Sequence, residues 1–238
     1  MGRVGLLRML CVLVWASLAA MPTHADDLGT RYDRSHFDAP KYGQASAILF
    51  GQALPPLGYV DFCGRGEAEC QYNGGAEKPL HITTATWDQI VQVNRHVNDA
   101  IKPVTDMENY GKINFWTYPI DSGLCHSFAL LKKRYLTELG INPDKLLMTV
   151  VLTETGEGHA VLTIPTDKGD YILDNRRQEI LRWDETGYIF LKRQSQPQSN
   201  QWVSLQKTTA PVAVATRSRS FASDFFKMGK RRGLPLSN

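Results

Sequence analysis

The residue best suited to covalent chemistry in this 238-residue chain is Cys125. Cys11 lies in a segment that we expect to be removed, and Cys63 and Cys70 are close enough in sequence to pair with each other. An odd cysteine in an exported protein is a crosslinker between chains, an inert buried thiol or a nucleophile. At the start of a predicted helix, free backbone N–H groups and the helix dipole lower a thiol pKa. The position therefore suits a nucleophile, although a buried packing residue explains it equally well.

A thiol nucleophile needs a base, and two histidines compete for that role. His126 directly follows Cys125, but neighbouring side chains on a helix point about 100° apart and do not face each other. The sequence therefore argues against His126 as the base and predicts a solvated residue at the helix start. His159, at the start of a predicted strand, is the remaining candidate.

The hairpin that follows His159 supplies a partner for its imidazole. If residues 166–169 form the loop, antiparallel pairing places Asp174 opposite Val161, which shares a face with His159. Asp174 is then the diagonal cross-strand neighbour of His159, roughly 7–8 Å away at the backbone and within side-chain reach. A register slip of one residue would turn Asp174 to the other face and make Asn175 the candidate instead.

These positions predict a catalytic triad of Cys125, His159 and Asp174. In such a triad the thiol attacks an acyl carbon, the imidazole carries the proton, and the carboxylate orients the imidazole. The N–H groups at the helix start can hold the oxyanion that forms. Taken singly, His159 also fits a polar residue at a strand start, and Asp174 fits a turn residue.

Two helices and a set of strands must position these side chains. A capping box at Thr86–Gln89 predicts the first helix, which ends before Lys102-Pro103, and the second begins near Cys125 and ends before Gly140. Its basic trio, 132–134, is predicted to be a solvated face. Strands are then predicted over 146–152, 159–164, 171–173, 180–183 and 188–192. Helices first and strands after predict an α+β fold, with helices packed on an antiparallel β-sheet.

The chain divides into four predicted segments. Residues 1–25 form a secretory signal peptide, and residues 26–85 form a loosely structured lead-in with a Cys63–Cys70 disulfide. Residues 86–205 form the folded domain, and residues 206–238 form a basic, disordered tail. The apolar run of the signal is shorter than the roughly 20 residues that span a bilayer, so we expect no membrane span in the mature chain. Export predicts a periplasmic or secreted protein.

Charge argues against a nucleic-acid partner. The formal net charge is +3, but the basic residues cluster in the signal and after residue 210, so the folded part is mildly acidic. Such a domain has no broad basic surface for nucleic acid. The sequence also has no Gly-rich phosphate loop and no paired metal-ligand cysteines.

Several short motifs surround the three predicted site residues. They are Tyr110-Gly111, Phe115-Trp116, Pro119, Gly123-Leu124-Cys125, Ala129-Leu130-Leu131-Lys132, Gly158-His159-Ala160-Val161-Leu162 and Tyr171-Ile172-Leu173-Asp174-Asn175. Over roughly Thr86 to Gln194, this set resembles the bacterial transglutaminase-like cysteine proteinases. The resemblance implies a papain-like α+β core, peptidase activity on a protein substrate, and the same Cys125, His159 and Asp174 triad.

The resemblance also implies a partner and raises the question of a metal. LapG-type periplasmic members cleave a large surface adhesin under the control of an inner-membrane receptor. Their cysteine lies in an Asp-Cys-Glu-Asp setting that supplies calcium ligands, whereas here Leu124, His126 and Ser127 take the acidic positions. Calcium prefers several hard oxygen ligands, so we expect no family-type calcium site and no cofactor.

Two alternatives to a peptidase remain open. A transglutaminase would use the same triad and pass the acyl group to an amine, so product analysis with a lysine-like amine must separate the two. A protein-binding module with a degraded site is the third possibility, because the acidic neighbours of Cys125 are lost.

Overall fold

The computed structural model describes only part of the chain. The predicted signal peptide, 1–25, lies outside it, as does the predicted tail beyond residue 207. The described residues are 31–38, 41, 43–66, 70, 78–198 and 200–207.

The described residues contain four α-helices. They are α1 (Leu57–Gly64), α2 (Thr84–Ala100), α3 (Asp106–Tyr110) and α4 (Cys125–Glu138). The capping box predicted at Thr86 is wrong, because α2 begins earlier and the Thr83 side chain accepts a hydrogen bond from the Thr86 N–H at 3.1 Å. The start of α4 at Cys125 confirms the predicted helix entry. A left-handed Gly140, with φ of 92°, follows the end of α4.

The strands form one large antiparallel sheet and one short parallel pair. The sheet has the order β1-β9-β8-β4-β5-β6-β7 within the described residues, and β2 pairs with β3. The pair β2–β3 anchors the segment that leads into α4. The strands are β1 (Gln52–Ala53), β2 (Lys102–Pro103), β3 (Ser122–Gly123), β4 (Leu147–Leu152), β5 (Gly158–Thr166), β6 (Gly169–Leu173), β7 (Leu181–Arg182), β8 (Ile189–Gln194) and β9 (Trp202–Ser204).

The β5–β6 hairpin has the register that the sequence predicts. Pro165 pairs with Asp170 and Leu162 pairs with Leu173, so the next pair along this register would be Val161 with Asp174. Gly169 has a φ of 125° and lies where an added Cβ would be 2.7 Å from a backbone oxygen, so the turn requires glycine there. The turn therefore sets the face on which the residue after β6 lies.

The helices pack on one face of the sheet, which confirms the predicted α+β arrangement. α4 packs against β5 and against α2, and a large apolar core lies between them. A smaller cluster that includes Trp183, Tyr188 and Phe190 covers part of the other face. In the part of the chain that the structure describes, no helix is long and apolar enough to cross a membrane.

The predicted lead-in contributes to the core, which corrects its description as loosely structured. Tyr59 and Phe62 of α1 are buried, and the Tyr59 ring meets Trp116 and Trp202 edge-on at 5.7 and 5.3 Å. Short apolar segments in a polar stretch gave no periodic signal, and these long-range aromatic contacts are what order α1. The predicted disulfide between Cys63 and Cys70 is present.

Candidate active site

Cys125 is the first residue of α4, at the point where the backbone changes from extended to helical. Leu124, the N-cap residue, is extended; its carbonyl accepts the Ser127 N–H at 2.9 Å, but its side chain makes no cap hydrogen bond to the N–H groups of the first turn. Gly123 allows this close entry, because an added Cβ would lie 2.7 Å from the Cβ of Ser127. The thiol is 4% exposed and is the free cysteine of the described residues. The Cys125 thiol is therefore buried at a helix start that has no side-chain N-cap.

His159 lies next to this thiol from the neighbouring β5. Its Nε2 is 2.8 Å from Oδ1 of Asp174, so the Nδ1 atom is left for the thiol. That Nδ1 is buried without a hydrogen-bond partner among the described residues, and the imidazole lies close enough to Cys125 for its charge to lower the thiol pKa. The structure therefore brings the three predicted site residues together.

Asp174 directly follows β6 and is held by several donors. Besides His159, its Oδ1 accepts the Arg176 N–H at 3.0 Å, and its Oδ2 accepts the Tyr188 hydroxyl at 2.6 Å. The Asn98 amide of α2 donates to the Asp174 backbone carbonyl at 2.9 Å, which fixes the loop. Burial disfavours the carboxylate, but the His159 imidazolium and these hydrogen bonds hold the pKa of Asp174 well below its usual range. Asp174 is therefore ionised at any ordinary pH.

The thiol and the imidazole stabilise each other as an ion pair. Burial opposes the thiolate, but the charge of His159 and hydrogen bonds from His126 and His159 lower the pKa of Cys125 to about 6. Burial likewise opposes the imidazolium, but the charges of Asp174 and Cys125 raise the pKa of His159 to about 10. Between these values, the thiolate–imidazolium form dominates, which is the reactive form of a cysteine nucleophile.

His126 is a buried neighbour of the thiol, and its prediction as a solvated residue is wrong. Only 3% of the side chain is exposed, and its Nε2 lies 3.3 Å from Oδ2 of Asp106 and 3.2 Å from the Phe115 carbonyl oxygen. The ring stacks on Trp116 at 5.1 Å and hydrogen-bonds Cys125. The expectation that neighbouring helical side chains do not face each other was wrong here, because an imidazole in the first helical turn is long enough to reach back to its neighbour.

The partner of His126 comes from α3, which the sequence reasoning missed. Asp106 is fully buried, and its Oδ2 also accepts the Phe115 N–H at 2.6 Å. Burial opposes the imidazolium, but hydrogen bonds to Asp106 and Cys125 raise the pKa of His126 to about 9. The capping box of Thr105 and Glu108 marks the start of α3 and was the one local signal that could have located it.

The basic residues 132 and 133 of α4 are buried, so their prediction as a solvated face is wrong. The Nζ of Lys132 has no hydrogen-bond partner among the described residues. Burial lowers the pKa of Lys132 to about 7, with the charge of Asp174 opposing that shift. Lys133 donates to Gln194 Oε1 of β8 at 3.0 Å. Both faces of α4 are covered, so helical position alone does not reveal which residues are solvated.

The arrangement can be compared with known proteins. The family described as "Bacterial transglutaminase-like cysteine proteinase BTLCP" matches residues 49–210, a range that includes α1 and all three candidate catalytic residues. Among solved structures, calcium-bound LapG of Legionella pneumophila is 20% identical, covering 54% of this chain and 75% of that chain with a TM-score of 0.44. EGTA-treated LapG of the same organism is 22% identical, covering 59% and 75%, with a TM-score of 0.40. No curated protein gives a significant match.

Proposed function

The chain belongs to the bacterial transglutaminase-like cysteine proteinases and is a cysteine peptidase, and we propose that Cys125, His159 and Asp174 are its catalytic residues. One observation carries this assignment: a free thiol at an uncapped helix start reaches an imidazole whose Nε2 lies 2.8 Å from a buried carboxylate. Nucleophile, base and orienting group are then in the order that thiol catalysis requires.

The proposed reaction begins with the Cys125 thiolate attacking the carbonyl carbon of a peptide bond. The S–C bond forms as the carbonyl becomes an oxyanion, which the first-turn N–H groups of α4 stabilise. The tetrahedral intermediate collapses, the C–N bond breaks, and the imidazolium of His159 gives its proton to the leaving amine. Water then attacks the thioester while His159 takes its proton, which releases the acid and restores the thiolate.

Asp174 keeps His159 in the form that this cycle needs. Because its pKa is held well below the usual range, the carboxylate stays ionised and favours the imidazolium. Its Oδ1 fixes the Nε2 side of the ring, which leaves Nδ1 as the atom that exchanges the proton. The Tyr188 hydroxyl on Oδ2 prevents the carboxylate from rotating away.

We propose that the protein acts after export, in the periplasm or outside the cell. Two features support this location, the predicted signal peptide over 1–25 and the Cys63–Cys70 disulfide, which persists in an oxidising compartment. The family resemblance favours a surface adhesin as substrate and an inner-membrane receptor as regulator.

We further propose that catalysis needs no calcium. Among the described residues, no group of three or more His, Cys, Asp or Glu side chains could hold a metal ion. The acidic residue that approaches the site, Asp106, is already bound by His126, whose raised pKa of about 9 makes it a cation at neutral pH. A positive imidazole on Asp106 repels a divalent cation, so these residues do not fit the ion that LapG of Legionella pneumophila binds.

Alkylation of Cys125 by iodoacetamide as a function of pH tests the proposal. We expect wild-type reactivity to rise near pH 6, well below the ordinary thiol value of about 8.5. His159→Ala should raise the thiol pKa by roughly two units and slow alkylation at pH 6 about fiftyfold. His96→Ala, which removes an exposed histidine of α2, is the matched control. A wild-type thiol that titrates near 8.5 would contradict the assignment.

Two further measurements separate the alternatives. Product analysis in the presence of a lysine-like amine distinguishes hydrolysis from acyl transfer, because a transglutaminase would form the amide of that amine. If the site were degraded, an acyl-donor probe would label Cys125 no faster than it labels the unfolded chain. We expect hydrolysis, and we expect labelling of the folded protein to be faster.

A further inference from the structure

We propose that His126 and Asp106 form a second imidazole–carboxylate pair that positions and stabilises the Cys125 thiolate, while His159 alone carries the proton of the reaction. The proposal rests on the proposed function, since it concerns the same nucleophile. It assigns to His126 a positioning role rather than a part in proton transfer.

The contacts of His126 mirror those of His159. Each imidazole lies close enough to the thiol to lower its pKa, and each has a buried carboxylate at its Nε2, at 2.8 Å for His159 and 3.3 Å for His126. The two carboxylates come from different elements, Asp174 from the residue after β6 and Asp106 from the start of α3. The thiol is therefore bracketed by two imidazoles.

The surroundings of His126 indicate that it is retained as a cation. Its ring lies parallel to Trp116, with an interplanar angle of 2°, and its Nε2 faces both the Phe115 carbonyl and a carboxylate oxygen. An apolar side chain would fill the same space without the cost of burying two ionisable groups. That cost is offset where the imidazolium neutralises Asp106 on one side and the thiolate on the other.

His126 is less suited than His159 to carry the reacting proton, because the His159 Nδ1 has no hydrogen-bond partner among the described residues, whereas the His126 ring is held by stacking on Trp116 and by two acceptors at Nε2. Its Nε2–H is shared between Asp106 and the Phe115 carbonyl, and its remaining contact is the thiol itself. The charged groups that face it are Asp106 from α3 and Cys125 from α4. Arg65, at the end of α1, donates to the Trp116 carbonyl. The proton on His126 therefore stays in place while His159 cycles.

The proposal predicts a specific change in pH dependence. Replacing His126→Gln keeps a polar side chain of similar length but removes the positive charge. We expect the pKa of the Cys125 thiol to rise by about one unit from about 6, so alkylation at pH 6 slows roughly fivefold and recovers above pH 8. The acid limb of peptide cleavage should shift by the same amount. His96→Gln, an exposed histidine, is the control that should leave both profiles unchanged.

Asp106→Asn tests whether the pair acts as a unit. The amide preserves shape but no longer favours the imidazolium, so this variant should shift the alkylation profile in the same direction as His126→Gln. The double variant should show little more than the His126→Gln shift, because the carboxylate acts through the imidazole. If Asp106 were only structural, its variant would lower the melting temperature and leave the thiol profile unmoved.

A second measurement covers the case in which a variant fails to fold. Imidazole NMR of the wild-type protein should show His126 titrating near pH 9. Titration near the ordinary histidine value of about 6.5 would overturn the proposal, as would a folded His126→Gln variant with the wild-type alkylation profile. Failure of the proposed function would look different: the thiol would keep its low pKa and its dependence on His126, but the protein would cleave no peptide bond.

Discussion

Replacing the buried Lys132 by methionine should stabilise the protein, by an amount that depends on pH. Lys132 lies in α4 with no exposed surface, and its ammonium has no hydrogen-bond partner among the described residues. Methionine has a similar length and no charge, so it can fill the same space and removes the desolvation cost.

The size of this gain follows from the pKa shift of Lys132. Burial lowers its pKa from 10.5 to about 7, and each unit corresponds to about 1.4 kcal/mol, which gives an upper figure of roughly 5 kcal/mol. That pKa already includes the opposing charge of Asp174, and relaxation of the buried site with water penetration reduces the expected gain to on the order of 2–4 kcal/mol. Between the folded pKa of Lys132, about 7, and its unfolded pKa, 10.5, the unfolded chain binds more protons than the folded one. The free energy of unfolding of the wild-type protein therefore increases with pH over this range. The cost is complete below about pH 7 and vanishes above the unfolded pKa.

Urea denaturation of Lys132→Met at pH 6 and at pH 9 measures this effect. Both proteins should carry Cys125→Ala so that self-cleavage does not interfere. We expect the free energy of unfolding to rise at pH 6, and the gain to shrink at pH 9. Lys78→Met, at an exposed position, is the matched control and should change little. A variant that is less stable than wild type at pH 6, or a gain that grows with pH, would refute the reasoning.

Four other changes test the site and the fold. Asp174→Asn should lower kcat about a hundredfold or more while the protein stays folded, because the amide no longer favours the His159 imidazolium; steady-state kinetics and circular dichroism would check this. Tyr188→Phe removes one donor to Asp174 and should lower kcat roughly tenfold. The pH profile of kcat and the circular dichroism spectrum would be measured together, and an unchanged spectrum excludes unfolding as the cause. Chelation with EGTA should leave peptide cleavage unchanged, and a loss restored by added calcium would contradict the metal-free site. Cys63→Ser with Cys70→Ser should cost about 2–3 kcal/mol in urea denaturation, since the disulfide closes a short loop.

The sequence predicted the elements whose geometry is local. The β5–β6 register followed from turn residues at 167–169, and the start of α4 followed from apolar spacing after Cys125. The positions of His159 and Asp174 relative to each other were therefore calculable from numbering. Their distance from the thiol was not, because it depends on how α4 packs against β5.

The errors share a physical cause, which is burial by segments distant in sequence. His126 and Lys132 were assigned to solvent from helical position, yet Asp106 of α3 and the aromatic residues 115 and 116 contact His126, and α2 and β5 pack against α4. α1 was missed because its contribution depends on Tyr59 and Phe62 reaching aromatic residues far along the chain. The spacing of apolar residues along a helix identifies one buried face and gives no indication of a second.

The same burial that destabilises Lys132 strengthens the electrostatics of the site. In a poorly solvated environment, the attraction between Cys125 and His159 is larger than it would be in water, and so is the penalty for an unpaired ammonium. An α4 solvated on its second face would relieve Lys132, but it would also let the pKa of Cys125 return toward that of an ordinary thiol. A stabilised Lys132→Met protein that keeps a low thiol pKa would show that the reactive thiolate does not require this buried cation, as expected if the His159 and His126 imidazoles stabilise it.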